Sequence, residues 1–264
     1  MFPISDPENT RRRFPIVNIG LMAVSIVVFL YQIAILDDFE LTKFYNNYVV
    51  VPYELTGQGD ISGMIQAEDV SVLEVEGVRN LLIFYRLRDV YEGGPPTVWL
   101  TPFTSMFIHG GWMHLIGNML FLWVFGDNIE DRLGRIKYLF FYLICGLFAA
   151  AAQVAVNLGT GIPAIGASGA IAGVLGAYFV LFPHARIRTL IFFFFITVIS
   201  LPAWLLIGIW ILMQFFSGIT SLGGDFATGV AYWAHIGGFV AGFLIVAAFV
   251  GLSGVRRIFS NIYR

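Results

Sequence analysis

Six apolar segments constrain the fold of this chain more than any other feature of its sequence. A helix needs about 20 apolar residues to cross the hydrocarbon core of a bilayer. Charged residues make up 12% of the chain, whereas a soluble domain carries roughly a quarter. The sequence therefore predicts an all-α membrane protein, a bundle of six transmembrane helices. The predicted spans are residues 14–36, 111–130, 136–157, 168–182, 201–217 and 230–252.

Basic residues fall on one side of this predicted bundle. The loops after the third and fifth spans contain no lysine or arginine. Because cytoplasmic loops carry an excess of these residues, both termini are expected in the cytoplasm. The basic clusters are Arg11, Arg12 and Arg13; Arg132, Arg135 and Lys137; Arg186 and Arg188; and Arg256, Arg257 and Arg264.

One long loop and one ambiguous stretch interrupt the pattern. Residues 37–100 are acidic and predict a long extracytoplasmic loop after the first helix, inserted in a single domain of residues 1–264. Residues 187–200 contain four consecutive phenylalanines and are expected to form an interfacial or re-entrant stretch. Pro202 predicts a break before the fifth helix, because proline lacks a backbone donor.

Charge and cysteine content exclude several classes of protein. The net charge of −2 gives no sign of nucleic-acid binding. Cys145, the single cysteine, excludes an intrachain disulfide and a cysteine-based metal site. The first apolar segment follows three arginines, as in a signal peptide, but its length favours a retained span. Since no targeting extension precedes it, we expect a prokaryotic plasma membrane rather than an organelle.

Ser168 and His235 are the strongest functional candidates. Ser168 opens the fourth span and His235 lies in the first turns of the sixth, so both are expected near the outer face. Ionisable groups within a membrane are costly, and a hydroxyl beside an imidazole is the minimal apparatus for nucleophilic catalysis. The fourth span would be roughly 22 Å long, shorter than a ~30 Å core. Ser168 would therefore lie below the surface, in a wet cavity that opens outward.

Further candidates surround this pair. His114 and Asn118 share one face of the second span and could donate to an oxyanion, together with the free N–H of Ser168. No carboxylate is placed to orient His235, which predicts a dyad held by packing. Small residues let membrane helices approach closely. Those expected between the fourth and sixth spans are Gly169, Gly173, Gly238 and Gly242.

Each candidate also has a structural interpretation. Ser168 could be a helix cap or packing residue, and His235 a buried hydrogen-bonded side chain. His114 and Asn118 could join helices. Neither a carboxylate nor Cys145 joins the histidines, so we expect no metal. The sequence Glu130-Asp131-Arg132 predicts an ion pair at the cytoplasmic end of the second span.

Together these motifs resemble the rhomboid family of intramembrane serine proteases, over about residues 101–252. The resemblance rests on three separate spans and on the sequence Glu130-Asp131-Arg132-Leu133-Gly134. The elements that carry it are His109, His114 and Asn118; Gly166-Ala167-Ser168-Gly169; and Ala234-His235 with Gly238 and Gly242.

The resemblance implies a role for each residue. Ser168 would be the nucleophile and His235 the base; His114, Asn118 and the Ser168 N–H would form the oxyanion hole, which Gly166 shapes. His109 would be structural. Substrates would be membrane-anchored proteins, cleaved near the outer end of a spanning helix without a cofactor.

Two features depart from the pattern of the family. The long loop of residues 37–100 is one of them. The other is Ala172, because many members carry an aromatic residue four positions after the serine, stacked on the histidine. Tyr232 or Trp233 are the candidates to brace His235 instead.

Three functions follow from these patterns. We expect a serine endopeptidase that acts on transmembrane proteins within the lipid bilayer through an acyl-enzyme. A catalytically inactive rhomboid-like binder of membrane clients is the alternative, although inactive relatives usually lack the serine or the histidine. A transporter or channel is disfavoured, since charged residues at the membrane midplane are missing.

Overall fold

The chain is mostly helical in the computed structural model, which describes residues 2–7, 12–34, 38–56, 98–158, 163–192, 196–222 and 229–260. Two 3₁₀ turns, Val98–Leu100 and Ser105–Phe107, flank α4, and a π-helical turn, Leu122–Gly126, joins α5 to α6. The helices are α1 (Ile16–Ala34), α2 (Asp38–Tyr48), α3 (Pro52–Leu55), α4 (Thr101–Thr104), α5 (Trp112–Phe121), α6 (Asp127–Leu133), α7 (Arg135–Val156), α8 (Ser168–Leu181), α9 (Ala203–Ser221) and α10 (Tyr232–Ser260).

Four of the described helices are long and apolar enough to cross a membrane. They are α1, α7, α9 and the part of α10 that ends at Gly251, where a φ of 76° kinks the helix. The predicted second span corresponds to α5, the π-helical turn and α6. Helix α8 has 14 residues, about 21 Å at 1.5 Å per residue. The helix at the position of the predicted fourth span is thus as short as the sequence predicts.

The π-helical turn is stabilised by a side chain from α1. Asn18 donates from Nδ2 to the Leu122 carbonyl at 2.9 Å and accepts at Oδ1 from the Tyr138 hydroxyl at 2.7 Å. Gly126 makes this approach possible, since a Cβ there would lie 2.1 Å from the Asn18 Oδ1. A side chain from a neighbouring helix can satisfy carbonyls that leave the regular α-helical ladder.

Glu130 caps helix α1, which differs from the predicted ion pair. Its carboxylate accepts backbone N–H bonds from Val17 at 3.1 Å and from Asn18 at 2.7 Å. The side chain is 2% exposed. The first N–H groups of a helix have no partner within the helix, and a carboxylate at that end also complements the helix dipole. Asp131 similarly accepts from the Arg12 N–H, at 3.1 Å. The two carboxylates of α6 therefore bind backbone N–H groups of the N-terminal segment and hold it against α6.

Helices α8 and α10 contact each other through their backbones. A Cβ at Gly238 would lie 1.9 Å from the Gly169 carbonyl oxygen, and one at Gly242 would lie 2.0 Å from that of Gly173. A Cβ at Gly176 would meet the Phe239 carbonyl oxygen at 2.3 Å. The close contact predicted between the fourth and sixth spans thus leaves no room for a side chain at these glycines.

Helix α7 packs against both α8 and α10 where these two helices meet. A Cβ at Gly169 would lie 2.6 Å from that of Ala149, and one at Gly237 would lie 2.3 Å from that of Ala152. Cys145 is fully buried and borders Gly173, whose added Cβ would lie 2.4 Å from the cysteine Cβ. Small residues on three helices therefore form one tightly packed core around α8, as is common within membranes.

A three-stranded antiparallel sheet corrects the prediction of an all-α fold. Strands β1 (Phe2–Ser5), β2 (Arg186–Phe192) and β3 (Ile196–Pro202) are arranged in the order β1-β2-β3. The interfacial or re-entrant stretch expected at residues 187–200 is thus a pair of strands, joined through residues 193–195, which lie outside the described part. Register runs from Arg186 opposite Pro202 to Phe192 opposite Ile196.

The sequence contains the alternation that produces these strands. Ile187 and Thr189 are buried, whereas Arg186 and Arg188 are exposed, the period of two expected of a strand with one covered face. β-Branched residues such as Ile187 and Val198 favour this geometry. Pro202 ends β3 and is the N-cap of α9, so the predicted break lies where a strand gives way to a helix.

The predicted insertion at residues 37–100 is described only at its two ends. Residues 57–97 lie outside the described part of the chain. Near the first end, the Ala164 N–H donates to the Val50 carbonyl at 2.8 Å, and the Thr104 hydroxyl donates to the Tyr48 carbonyl at 2.7 Å. Val50 is 1% exposed. These contacts hold the end of α2 against α4 and the residues after it against the turn that precedes α8.

Replacement of Gly242 by valine should destabilise the fold, because the new side chain would collide with the Gly173 backbone. Overpacking costs about 1–3 kcal/mol and occasionally more. Unfolding in mixed detergent micelles, followed by circular dichroism, measures the change. Gly208→Ala is the matched control, since a Cβ at Gly208 has no neighbour within 4 Å. Equal stability of the two variants would contradict a direct backbone contact between α8 and α10.

Candidate active site

Ser168 and His235 meet where α8 and α10 begin. Ser168 is the first residue of α8, and the His235 N–H donates to the Ala231 carbonyl in the first turn of α10. The Ser168 Oγ lies 2.8 Å from the His235 Nε2. The imidazole is 9% exposed, and the serine is partly exposed. The two expected residues are therefore within hydrogen-bonding distance.

The second nitrogen of His235 contacts a residue that sequence analysis missed. The Gln214 Oε1 lies 2.8 Å from the His235 Nδ1. Trp210, one turn earlier on α9, places its ring centroid 5.7 Å from that of His235 with an interplanar angle of 37°. A side-chain amide within the otherwise apolar segment 203–216 was the signal available, because polar groups are costly in a membrane helix.

The braces expected for His235 occupy a different place. Tyr232 and Trp233 border Gly218, where an added Cβ would lie 3.5 Å from the Tyr232 Cβ and from the Trp233 ring. The Trp233 indole nitrogen is buried without a hydrogen-bond partner among the described residues. In the described part of the chain, the contacts to the imidazole come instead from Trp210 and Gln214 on α9.

His114 and Asn118 converge on the turn before the serine. Gly166 has a φ of +112°, and its N–H donates to the Ser105 carbonyl at 2.9 Å. A Cβ at Gly166 would lie 2.6 Å from the His114 Nε2 and 3.6 Å from the Asn118 Nδ2. Both side chains therefore reach the same point of the backbone, two residues before Ser168.

The Asn118 amide is an unusual buried donor. Its Nδ2 is buried and has no hydrogen-bond partner in the described part of the chain. Buried polar groups are nearly always paired, so an unpaired one calls for an explanation. Its position beside Gly166 makes it available to a negatively charged oxygen that forms next to Ser168.

His109 supports the residues behind this site. It is fully buried, and its ring meets that of His114 edge-on, with centroids 5.2 Å apart. Its carbonyl accepts from the Gln32 Nε2 at 3.2 Å, and its Nδ1 lies 3.3 Å from the Phe107 carbonyl. Gln32 thus joins α1 to the turn that carries His109, and His109 in turn borders His114.

A small, partly open cavity lies beside Ser168. One wall consists of small residues on α7 and α8, namely Gly146, Ala149, Ala150 and Gly169. Gln153 also lines it, and its Oε1 accepts the Ala234 N–H at 3.2 Å. The cavity gives a small side chain or water a route to the serine.

Comparison with known proteins identifies the family. A model described as "Rhomboid domain" matches residues 96–252, more than half of the chain. The chain belongs to the rhomboid family. The match includes every described helix from α5 to the kink in α10, and the family includes serine intramembrane proteases.

Several curated proteins resemble parts of this rhomboid. Rhomboid protein 1, mitochondrial, of Saccharomyces cerevisiae is 40% identical over 92 residues, 33% of this chain and 27% of the yeast protein. Presenilin-associated rhomboid-like protein, mitochondrial, of Homo sapiens is 29% identical over 154 residues, 56% and 38% of the two chains. RHOMBOID-like protein 4 of Arabidopsis thaliana is 34% identical over 139 residues, 52% and 31%. The chain spans less than half the length of each relative.

Proposed function

We propose that this rhomboid is a serine endopeptidase that cleaves transmembrane proteins near the outer membrane face. The 2.8 Å contact between the Ser168 Oγ and the His235 Nε2 is the observation that carries this function. A serine hydroxyl is a weak nucleophile by itself, and a positioned base within this distance activates it. The site needs neither a metal nor a cofactor for this chemistry.

Acylation begins with transfer of the Ser168 proton to the His235 Nε2. The Oγ attacks the carbonyl carbon of the scissile peptide bond, and the carbonyl oxygen becomes negatively charged. His235, now protonated, then donates its proton to the leaving amine as the C–N bond breaks. An ester between Ser168 and the N-terminal part of the substrate remains.

The oxyanion is stabilised by donors that converge beside Gly166. The unpaired Asn118 Nδ2 and the nearby His114 Nε2 support this role. The backbone N–H of Ser168, at the first position of α8, is a third donor, since N-terminal amides of a helix have no partner within it. Donors that are already oriented cost no reorganisation when the charge develops.

Water completes the cycle. A water molecule in the cavity beside Ser168 loses a proton to the His235 Nε2 and attacks the ester carbonyl carbon. The tetrahedral intermediate collapses, the proton returns to the Ser168 Oγ, and the second product leaves. The small residues along the cavity wall support entry of water and of a small substrate side chain.

The proposed topology has six spans with both termini in the cytoplasm. Four helices meet the length and composition of a span; the other two are the α5–α6 unit, interrupted by the π-helical turn, and α8. The positions of the basic clusters support this orientation. The 14 residues of α8 support a site below the membrane surface, reached by a substrate whose spanning helix unwinds.

The compartment expected from the sequence differs from the one in the names of the relatives. The sequence favours a prokaryotic plasma membrane, whereas the yeast and human relatives are named as mitochondrial. The names of these relatives do not support a prokaryotic plasma membrane. A location in a membrane, with several spans, holds in either case.

A fluorophosphonate probe should label the wild-type protein in detergent micelles and fail to label Ser168→Ala. The reason is that phosphonylation requires an activated hydroxyl, and the Ser168 Oγ lies 2.8 Å from an imidazole nitrogen. Gel fluorescence after a fixed incubation gives the readout. Ser217→Ala, on α9, is a matched serine control that should keep its labelling. Equal labelling of wild type and Ser168→Ala would remove the protease assignment.

Cleavage of a transmembrane substrate separates the protease from a catalytically inactive client-binding protein. In detergent or liposomes, wild type should release two fragments, and His235→Ala should release neither while still binding the substrate. Binding without cleavage by the wild type would favour the inactive alternative.

Asn118→Ala should lower kcat by about 10²–10³, the typical effect of losing one oxyanion donor. Stability should hardly change, because the lost Nδ2 has no hydrogen-bond partner among the described residues. Cleavage rates at saturating substrate and unfolding in detergent measure the two effects. Ile116→Leu, on the exposed side of α5, is the control. Loss of stability with an unchanged kcat would assign Asn118 a structural role.

A further inference from the structure

A neutral imidazole carries a single proton, and its position decides whether His235 can act as a base. The Nε2 faces the Ser168 Oγ, so it must have a free lone pair to accept the serine proton. The proton must then reside on Nδ1. Something on the other side of the ring has to favour this tautomer over the one in which Nε2 is protonated.

Gln214 supplies the group that favours the required tautomer. Its Oε1, which can only accept, lies 2.8 Å from the His235 Nδ1. The tautomer with its proton on Nδ1 donates this hydrogen bond to Gln214. The tautomer with its proton on Nε2 cannot form it. Ring orientation is restricted as well, since Trp210 packs against the same imidazole at a centroid distance of 5.7 Å.

We propose that Gln214 is a positioning residue of the catalytic site, the third member of a Ser168–His235–Gln214 group. It acts through His235 and contacts no reacting atom. This inference deepens the proposed protease function and rests on it. It replaces the dyad held by packing that the sequence predicts.

An amide differs from the carboxylate that usually orients a catalytic histidine. A carboxylate favours the imidazolium strongly, whereas a neutral carbonyl oxygen accepts the same bond with less charge stabilisation. Within a membrane, a neutral amide also avoids the cost of burying a charge. Gln214 therefore provides the orientation of a triad without placing a carboxylate beside the imidazole.

Helix α9 replaces a brace that α8 does not provide. Ala172, on the turn after Ser168, is fully buried and has too small a side chain to stack on the imidazole. Trp210 and Gln214 are four residues apart and so share one face of α9. Stacking and hydrogen bonding to His235 thus come from the same helix face.

Two substitutions test the role of Gln214. In Gln214→Leu, which cannot accept a hydrogen bond, kcat should fall about 100-fold with KM unchanged, the lower end of what general-base catalysis contributes. Gln214→Glu keeps an acceptor in the same place and should recover most of kcat. Phe216→Leu, an exposed position on α9, should behave as wild type.

Two further readouts separate positioning from a structural role. A carboxylate at position 214 favours protonated His235, so the acid limb of the kcat/KM profile should move to higher pH in Gln214→Glu. Nitrogen-15 NMR of labelled histidine should show the proton of His235 on Nδ1 in wild type and a mixture of tautomers in Gln214→Leu.

The outcomes distinguish this inference from the proposed function. If wild type cleaves substrate while Gln214→Leu keeps its kcat and tautomer, the positioning role is overturned and the protease assignment stands. The role is also overturned if Gln214→Glu fails to recover activity although it folds. If wild type neither cleaves nor reacts with fluorophosphonate, the protease assignment itself fails.

Discussion

Direct contact between the backbones of α8 and α10 is the constraint on which the rest of the structure depends. Lipid tails are as apolar as most side chains, so membrane helices associate through close packing rather than through exclusion of water. Gly169 and Gly173 face Gly238 and Gly242 with no space for a Cβ. The axes therefore come close enough for residues at the start of each helix to share a hydrogen bond. Ser168 and His235 occupy those positions.

Polar groups in this bundle fall into two kinds. Asn18 and Glu130 are saturated by structural partners, a carbonyl and a hydroxyl for the first and two backbone N–H groups for the second. Asn118 instead has a buried donor without a partner among the described residues. A structural role accounts for the saturated groups, because an unpaired buried group costs free energy. For the unpaired amide beside Gly166, the proposed oxyanion would supply the missing partner during the reaction.

Sequence analysis identified the candidate residues because the membrane makes them conspicuous. A serine and a histidine at the ends of apolar segments stand out where polar groups are costly, and the glycines at a spacing of four predicted the helix contact. Strands β2 and β3 were missed because their β-branched and aromatic residues are also typical of membrane helices. The cap that Glu130 provides for α1 was missed because the two lie more than a hundred residues apart in the chain. Gln214 was visible as a lone amide in α9, yet nothing in the sequence indicated which residue it would meet.

The sequence by itself determined that this chain is a membrane protein with several spans, that one span is short, and which hydroxyl and imidazole are the candidates. These properties follow from local composition and segment length, which do not depend on how the helices are arranged. Only the tertiary structure decided that Gln214 and Trp210 contact His235, that Glu130 caps α1, and that Arg186–Phe192 and Ile196–Pro202 are strands. Such pairings depend on the rotation and depth of each helix relative to its neighbours. Those are set by the summed packing of the whole bundle, which no single segment of the sequence encodes.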